Sequence, residues 1–307
     1  MSKYQKNLVS VIIPSYKRAE KLKRAIESVL NQTYLEIELL VVNDNEKDDE
    51  FSIKLREIIS LFTDCRLKLI EQEKHINGAV ARNVGIKHSK GEYVAFLDDD
   101  NYWERNKIER QVAVLSKLDH SWGGVSSKKK YFNNDKFIRI SLPYKSGKIY
   151  EEILLRRIEV GTSTLLLRHE ALDKTGYFDE TLNRHQELQL LTYFTYRYKL
   201  KLVNEFLHNA DISDGQNRPN VERFKQVKKD FFNSVKPIID TLPIRRQRRM
   251  YIMHNFELGY ALLKNKQYRE GIKKCLSVLW SPFTLYYAIY RSLERIIGTK
   301  LKGILLK

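Results

Sequence analysis

Gly91-Glu92-Tyr93-Val94-Ala95-Phe96-Leu97-Asp98-Asp99-Asp100 divides into two halves of opposite character. The first is a short β-branched and aromatic apolar run entered through a glycine, which reads as a buried β-strand. The second places three consecutive carboxylates at that strand's carboxyl end. Like charges a few ångströms apart cannot all stay ionised unless something neutralises them; otherwise at least one carboxyl is forced to keep its proton. A hard divalent cation is the simplest neutraliser, because it takes oxygen ligands and, as Mg²⁺, prefers one or two carboxylates together with substrate phosphates. An isolated Asp-Asp-Asp reads as an acidic solvated turn. These acids end a core strand, and open α/β sheets bind ligands outside the carboxyl ends of their strands, so Asp98, Asp99 and Asp100 read as a metal or substrate site.

Upstream, residues 8–13 form a continuous apolar, β-branched run, the mark of a parallel strand buried on both faces. Pro14-Ser15-Tyr16-Lys17-Arg18 turns the chain into a helix over about residues 19–31, with Leu22, Ala25, Ile26, Val29 and Leu30 on one side. Residues 37–42 read as a second strand ending on Asn43-Asp44-Asn45, residues 48–61 as a helix and residues 67–70 as a third strand. Asn77-Gly78 opens a further helix that carries Arg82 and Asn83 into the acidic strand. Alternating β and α with short turns predicts a parallel sheet with right-handed crossovers. Tyr16 and Asp44 then share the sheet edge of the acids, and a planar ring beside a carboxylate suits a nucleobase. Arg82 suits phosphate geometry or a neighbouring acid.

Val11-Ile12-Ile13-Pro14-Ser15-Tyr16, Val41-Val42-Asn43-Asp44, Gly78-Ala79-Val80-Ala81-Arg82-Asn83-Val84-Gly85-Ile86 and the acidic strand occur in that order. Together they resemble glycosyltransferase family 2, inverting nucleotide-sugar-dependent enzymes of GT-A fold, over about residues 8–215. The resemblance implies an α/β, Rossmann-like, mostly parallel sheet flanked by helices. It implies a metal-dependent transfer of a sugar from a nucleoside-diphosphate sugar, UDP-linked by preference, to a hydroxyl of a glycan or lipid-linked glycan in bacterial surface polysaccharide synthesis. By the same resemblance Pro14, Tyr16, Arg18 and Asp44 line the nucleotide pocket with Arg82, and Asp98 and Asp99 lie towards the ribose. Asp100, with Asp99, is implied to hold Mn²⁺ or Mg²⁺. His208, after a strand over residues 201–207, is either a further metal ligand or a surface or core histidine. Gly161-Thr162-Ser163-Thr164 borders the implied acceptor site. The Phe178-Asp179-Glu180 turn leads to a helix whose first acidic residue is, in the family, the general base; Glu187 matches where Asp is usual, with His185 as the alternative.

Past Gly215-Gln216-Asn217-Arg218-Pro219 only helical periodicity remains, which divides the chain into a catalytic region, 1–218, and an all-α C-terminal extension, 219–307. Of the net charge of +17, the extension carries +13, with 19 Lys and Arg against 6 Asp and Glu. Its last segment sets Phe283, Tyr286, Tyr287, Tyr290, Leu293, Ile297, Leu301 and Ile304 at steps of three and four. Arg291, Arg295, Lys300, Lys302 and Lys307 fill other positions. That pattern predicts a helix lying in an anionic membrane interface or docked on the catalytic region. There is neither a signal peptide pattern nor a run of 18 apolar residues, so the expectation is a cytoplasmic protein peripheral on the membrane's cytoplasmic face. Cys65 and Cys275 lie far apart without zinc or redox spacing and read as buried thiols in a reducing compartment. Lys128-Lys129-Lys130 beside Tyr131-Phe132 reads as an exposed charged hairpin, and no nucleic-acid partner is expected. A nucleic-acid binder using the basic tail would leave the acid triplet unexplained. A sugar-phosphate nucleotidyltransferase would want a Gly-rich, cationic loop after the first strand, which Pro14-Ser15-Tyr16-Lys17 is not.

Overall fold

The computed structural model describes residues 3–213 and 220–300, without the side chains of 291, 292 and 294–300. β1 (Gln5–Ser15), α1 (Ala19–Leu30), β2 (Ile37–Asn43), α2 (Glu50–Ser60), β3 (Leu67–Glu71), α3 (Gly78–His88) and β4 (Gly91–Phe96) alternate as the apolar periods require. The helices start on side-chain caps where the sequence offers them. Asp49 accepts from Ser52 N at 2.7 Å, and Asn77 accepts from Ala79 N and Val80 N at 2.9 and 3.1 Å. The four strands are parallel in the order β3-β2-β1-β4. Gly91 has a steric reason to open β4: a Cβ there would lie 2.5 Å from the Leu8 carbonyl oxygen of β1. Along β1 the side chains alternate between two cores, Val9, Val11 and Ile13 on one face and Ile12 on the other.

Beyond β4 come β5 (Tyr102–Trp103), α4 (Lys107–Leu115), β6 (Trp122–Asn133), β7 (Lys136–Ile140), α5 (Tyr150–Leu154) and a 3₁₀ turn, Thr162–Thr164. They are followed by β8 (Leu166–Arg168), α6 (His169–Thr175), α7 (Gln186–Arg197) and β9 (Lys199–Asp211). The sheet continues from β4 through β8, β6 and β9 to β5, with β7 paired on β6. In this half only β6 and β9 run parallel, so the whole is a mixed sheet with a parallel first half.

Three sequence-based expectations are corrected here. Residues 128–130 do lie in a hairpin arm, β6 paired with β7, but not an exposed one: Lys129 is buried, and Lys130 Nζ lies 2.9 Å from Glu104. Lys128 Nζ sits 4.0 Å over the Phe206 ring, as a long cation can when its stem covers apolar surface. His208 lies within β9, paired with Trp103, rather than after a strand. Cys65 is exposed in the turn before β3, and Cys275 is half-buried.

The C-terminal helices are α8 (Val221–Ile239), α9 (Ile244–Lys264), α10 (Tyr268–Leu276) and α11 (Pro282–Lys300). Phe231, Val235, Ile238, Met250 and Met253 from α8 and α9 join the same core as Ile12, Val94 and Phe96 of the sheet. Phe283 and Tyr287 of α11 pack at the edge of that core. Core packing is therefore continuous across the point where the sequence changes character. Residues 214–219, where the boundary was expected, lie outside the described residues, as do Leu301, Lys302, Ile304 and Lys307 and the side chains of Arg291, Arg295, Ile297 and Lys300.

Candidate active site

Because β1, β2 and β4 are parallel and in register, with Ser15 opposite Asn43 and Ile12 opposite Phe96, their carboxyl ends lie side by side. Tyr16, Asp44 and Asp98–Asp100 are therefore brought to one edge. Asp44 N donates to Ser15 O at 2.9 Å, and Tyr16 N donates to Asp99 Oδ2 at 3.2 Å. Lys17, in the left-handed region at φ 56°, donates its N–H to Asn45 Oδ1 at 2.8 Å, which ties the Pro14-to-Arg18 turn to the end of β2. Asp44 is buried and held by Gln72 Nε2 at 3.0 Å and by His75 Nδ1 at 3.1 Å from its carboxylate. His75 also stacks on Tyr16, ring centroids 3.8 Å apart and 16° from parallel. The expected aromatic-plus-carboxylate pair is thus joined by a third residue, His75, in one contiguous group. His75 and Gln72 carried no periodic or motif signal, since both lie in an irregular segment between β3 and α3.

The three acids are in three different electrostatic states. Asp98 accepts from Arg82 at 2.6 Å and from Ser163 Oγ at 3.0 Å. Burial raises its pKa, but Arg82 and Ser163 outweigh burial and hold it below the ordinary Asp value. Asp99 is pushed up to about 7 by burial and by the Asp100 charge, against the pull of Arg18. Asp100 is pushed up to about 6 by burial and by Asp98, although Arg18 lies 2.9 Å from it. So Arg82 satisfies the first acid, while Arg18 alone does not satisfy the other two. The bond from Ser163 to Asp98 was not legible in the sequence, because it depends on the antiparallel arrival of β8 beside β4.

Arg82 also links this edge to α7. Its NH1 donates to Gly78 O at 3.1 Å and lies 3.5 Å from Gln186 Oε1, while its Nε is buried with no hydrogen-bond partner. Asn83 fixes the approach to α7: it donates to Phe178 O at 2.9 Å and to Glu180 Oε1 at 2.8 Å, and accepts from Phe178 N at 3.0 Å. Glu187 follows Gln186 in the first turn of α7, half-buried, within the electrostatic reach of Arg156 and Arg184. His185 turns the other way. It adopts φ 62°, lies against Phe224 and Phe231 of α8, and is pushed down to about 2 by burial and by Lys228 and Arg156.

Among the described residues no three His, Cys, Asp or Glu side chains form a ready-made metal cage. Two crowded carboxylates with raised proton affinity nevertheless fit a Mg²⁺- or Mn²⁺-type ion that takes its remaining ligands from water and phosphate. His208 is buried with its Nδ1 unpartnered, but Lys129 and Lys107 surround it and, after burial, are the main reason it is pushed down to about 3.

The family model for glycosyl transferase family 2 matches residues 10–176. Over 171 residues the chain is 34% identical to the UDP-Glc:alpha-D-GlcNAc-diphosphoundecaprenol beta-1,3-glucosyltransferase WfgD of Escherichia coli, covering 55% of this chain and 64% of that protein. It is 36% identical over 189 residues to an uncharacterized glycosyltransferase of Rickettsia conorii, 60% of this chain and 30% of the other. It is 28% identical over 190 residues to the amylovoran biosynthesis glycosyltransferase AmsB of Erwinia amylovora, 59% and 62% of the two. The chain thus spans between about a third and two thirds of these relatives' lengths. Among solved structures, Staphylococcus aureus TarS 1–349 with UDP-GlcNAc superposes with a TM-score of 0.60 at 17% identity, covering 96% of this chain and 91% of that one. The mannosyltransferase PcManGT of Pyrobaculum calidifontis, in complex with GDP-Man and Mn²⁺, gives 0.58 at 18% identity, covering 97% and 87%. The fold is that of these enzymes, and the chain belongs to glycosyl transferase family 2.

Proposed function

We propose that the protein transfers a sugar, with inversion, from a nucleoside-diphosphate sugar to a hydroxyl of a glycan or lipid-linked glycan acceptor in bacterial surface polysaccharide synthesis. The observation that carries this reading is the Asp98–Arg82–Gln186 chain of contacts. It sets a crowded acidic pair of raised proton affinity on one side and the first turn of α7 on the other. A UDP-linked donor is favoured by the names of WfgD and of the TarS complex, and a polyprenyl-diphosphate acceptor by that of WfgD.

In this reading Tyr16 and His75 wall the base and Asp44 accepts its N–H. Asp98 and Asp99 face the ribose, and Arg82 offers its buried Nε to a phosphate oxygen. Arg18, at the Pro14 turn, screens the donor's diphosphate. Asp100 and Asp99 would hold the Mn²⁺ or Mg²⁺ ion, whose chemistry when bound is neutralisation of the leaving diphosphate. Glu187 takes the proton from the acceptor hydroxyl as its oxygen bonds to the anomeric carbon and the bond to the diphosphate oxygen breaks. Glu187 is preferred to His185 because the histidine packs against α8, with its Nδ1 buried, and is too weakly basic there.

Glu187→Gln keeps shape and removes basicity. Donor binding is expected to persist while transfer falls by on the order of 10²–10⁴. Normal transfer by Glu187→Gln with loss in His185→Ala would move the role to His185.

The C-terminal helices are the proposed attachment to the cytoplasmic face of an anionic membrane. The +13 of residues 219–307 supports this, as do the exposed Leu279, Trp280, Tyr286, Ile289 and Leu293. No helix among the described residues is long and apolar enough to cross a membrane.

A further inference from the structure

Lys148, Arg157, Arg246 and Arg249 converge on a cleft of about 340 Å³ between the start of α5, the start of α9 and α11. Glu151 and Glu152 oppose them, the first 2.7 Å from Arg246 and the second 3.8 Å from Arg157. Two cations are therefore left over: among the described residues, Lys148 and Arg249 have no carboxylate within 4.0 Å. Arg157 adds a buried Nε with no hydrogen-bond partner. Its guanidinium is otherwise held 3.8 Å over the Tyr287 ring.

Two further features raise the positive potential. Arg246 and Arg249 stand at the start of α9, where the helix dipole is itself positive and no acidic residue occupies the first turn. A neighbouring cleft of about 540 Å³ shares Lys148 and adds Lys174 and Arg197, also without a carboxylate partner among the described residues. Charges of one sign gathered in concave surface create a field that attracts the opposite charge.

Arg249 lies 4.1 Å over the Phe283 ring. Along the same helix, Tyr286 (60% exposed), Ile289, Tyr290 and Leu293 face solvent, and Trp280 just before it is 87% exposed. An under-neutralised cationic cleft thus opens beside an apolar rim on one helix. A phospholipid has that same order of parts, phosphate above and acyl chain below.

We propose that this cleft binds the phosphate of an anionic phospholipid headgroup while the aromatic rim of α11 enters the acyl boundary. The proposal rests on the membrane attachment put forward above and adds to it a defined headgroup site.

Sedimentation of the full-length protein with phosphatidylglycerol-containing and pure phosphatidylcholine vesicles tests it. The comparison is between a cleft pair, Lys148→Gln with Arg249→Gln, and an equal-charge pair on exposed surface outside the cleft, Lys266→Gln with Lys273→Gln. Melting temperature and donor hydrolysis report folding in each case. The cleft pair is expected to lose roughly 30-fold in affinity for anionic vesicles, the worth of two basic residues at such a surface, and the outside pair roughly threefold or less. Equal losses in the two pairs would overturn the site and leave the attachment standing. No sedimentation of the wild type with either vesicle would sink both. Competition by millimolar glycerol phosphate as effective as by vesicles would reassign the cleft to a soluble anion and overturn the lipid assignment.

Discussion

Asp99 and Asp100 bind protons more tightly in the folded, metal-free protein than in the unfolded chain, since folding moves them from the ordinary Asp value to about 7 and about 6. Their contribution to stability is then fully present below about pH 4 and is lost as pH rises through 6 to 7. A bound divalent cation offsets the cost of ionising these buried, crowded carboxylates and competes with their protons. Mn²⁺ is therefore expected to raise Tm more at pH 8 than at pH 5 in scanning calorimetry, and an equal rise at both would break the link. Asp100→Asn should lower transfer by on the order of 10²–10³ and flatten that pH dependence, without lowering the metal-free Tm at pH 8. The acids, Tyr16, Asp44 and Arg18 were legible in the sequence because strand ends and a short turn fix where such residues go, and Arg82 because its helix leads into the acidic strand. His75 and Lys129 were not. The first sits in an irregular segment, and the second is a lysine inside a strand, where Tyr131 and Glu159, distant or unremarkable in sequence, receive its charge.

The first turn of α7 is flanked on two sides by contacts distant in sequence, and this decides how Glu187 is presented. In front stand Arg82 and the Asn83 clasp; behind it, α5, α8 and α9 meet in a buried charge network. Arg156 Nε reaches Glu257 at 3.1 Å, Lys228 reaches Glu257 at 2.6 Å and His254 Nδ1 at 3.0 Å, and His254 Nε2 donates to Leu154 O at 2.9 Å. Because that carbonyl can only accept, His254 is neutral with its proton on Nε2, and Nδ1 accepts from Lys228. Glu257→Ala takes the carboxylate from buried Lys228 and half-buried Arg156 and is expected to cost about 3 kcal/mol in denaturant unfolding. A loss under 1 kcal/mol would mean the network is solvated. The sequence showed β1 to β4 and α1 to α3 because their apolar runs are long and regular. β6 went unread because Gly123, Gly124, Ser126, Ser127 and three lysines break its alternation, and its neighbours β8 and β9 complete it only in three dimensions.

At the scale of the whole molecule, helices that the sequence sets apart by charge share the sheet's core. Cutting after residue 279 removes Phe283 and Tyr287 from the edge of that core, and the remainder is expected to fold, hydrolyse donor and no longer sediment with anionic vesicles. Cutting after residue 213 removes Phe231, Val235, Ile238, Met250 and Met253 together, and the product is expected to lack a cooperative melting transition. A cooperative, donor-hydrolysing fragment 1–213 would show that the sheet can close without α8 and α9. The shared core also bears on synthesis. The helix layer of α5 and α7 receives its outer cover only when α9 has left the ribosome, some 53 residues after Asp211 ends the last strand. At ~5–20 residues per second that interval is roughly 3–11 s. During it the α5–α7 layer stands with its outer apolar side chains bare, so the nascent chain, more than the native enzyme, is the form that needs a chaperone.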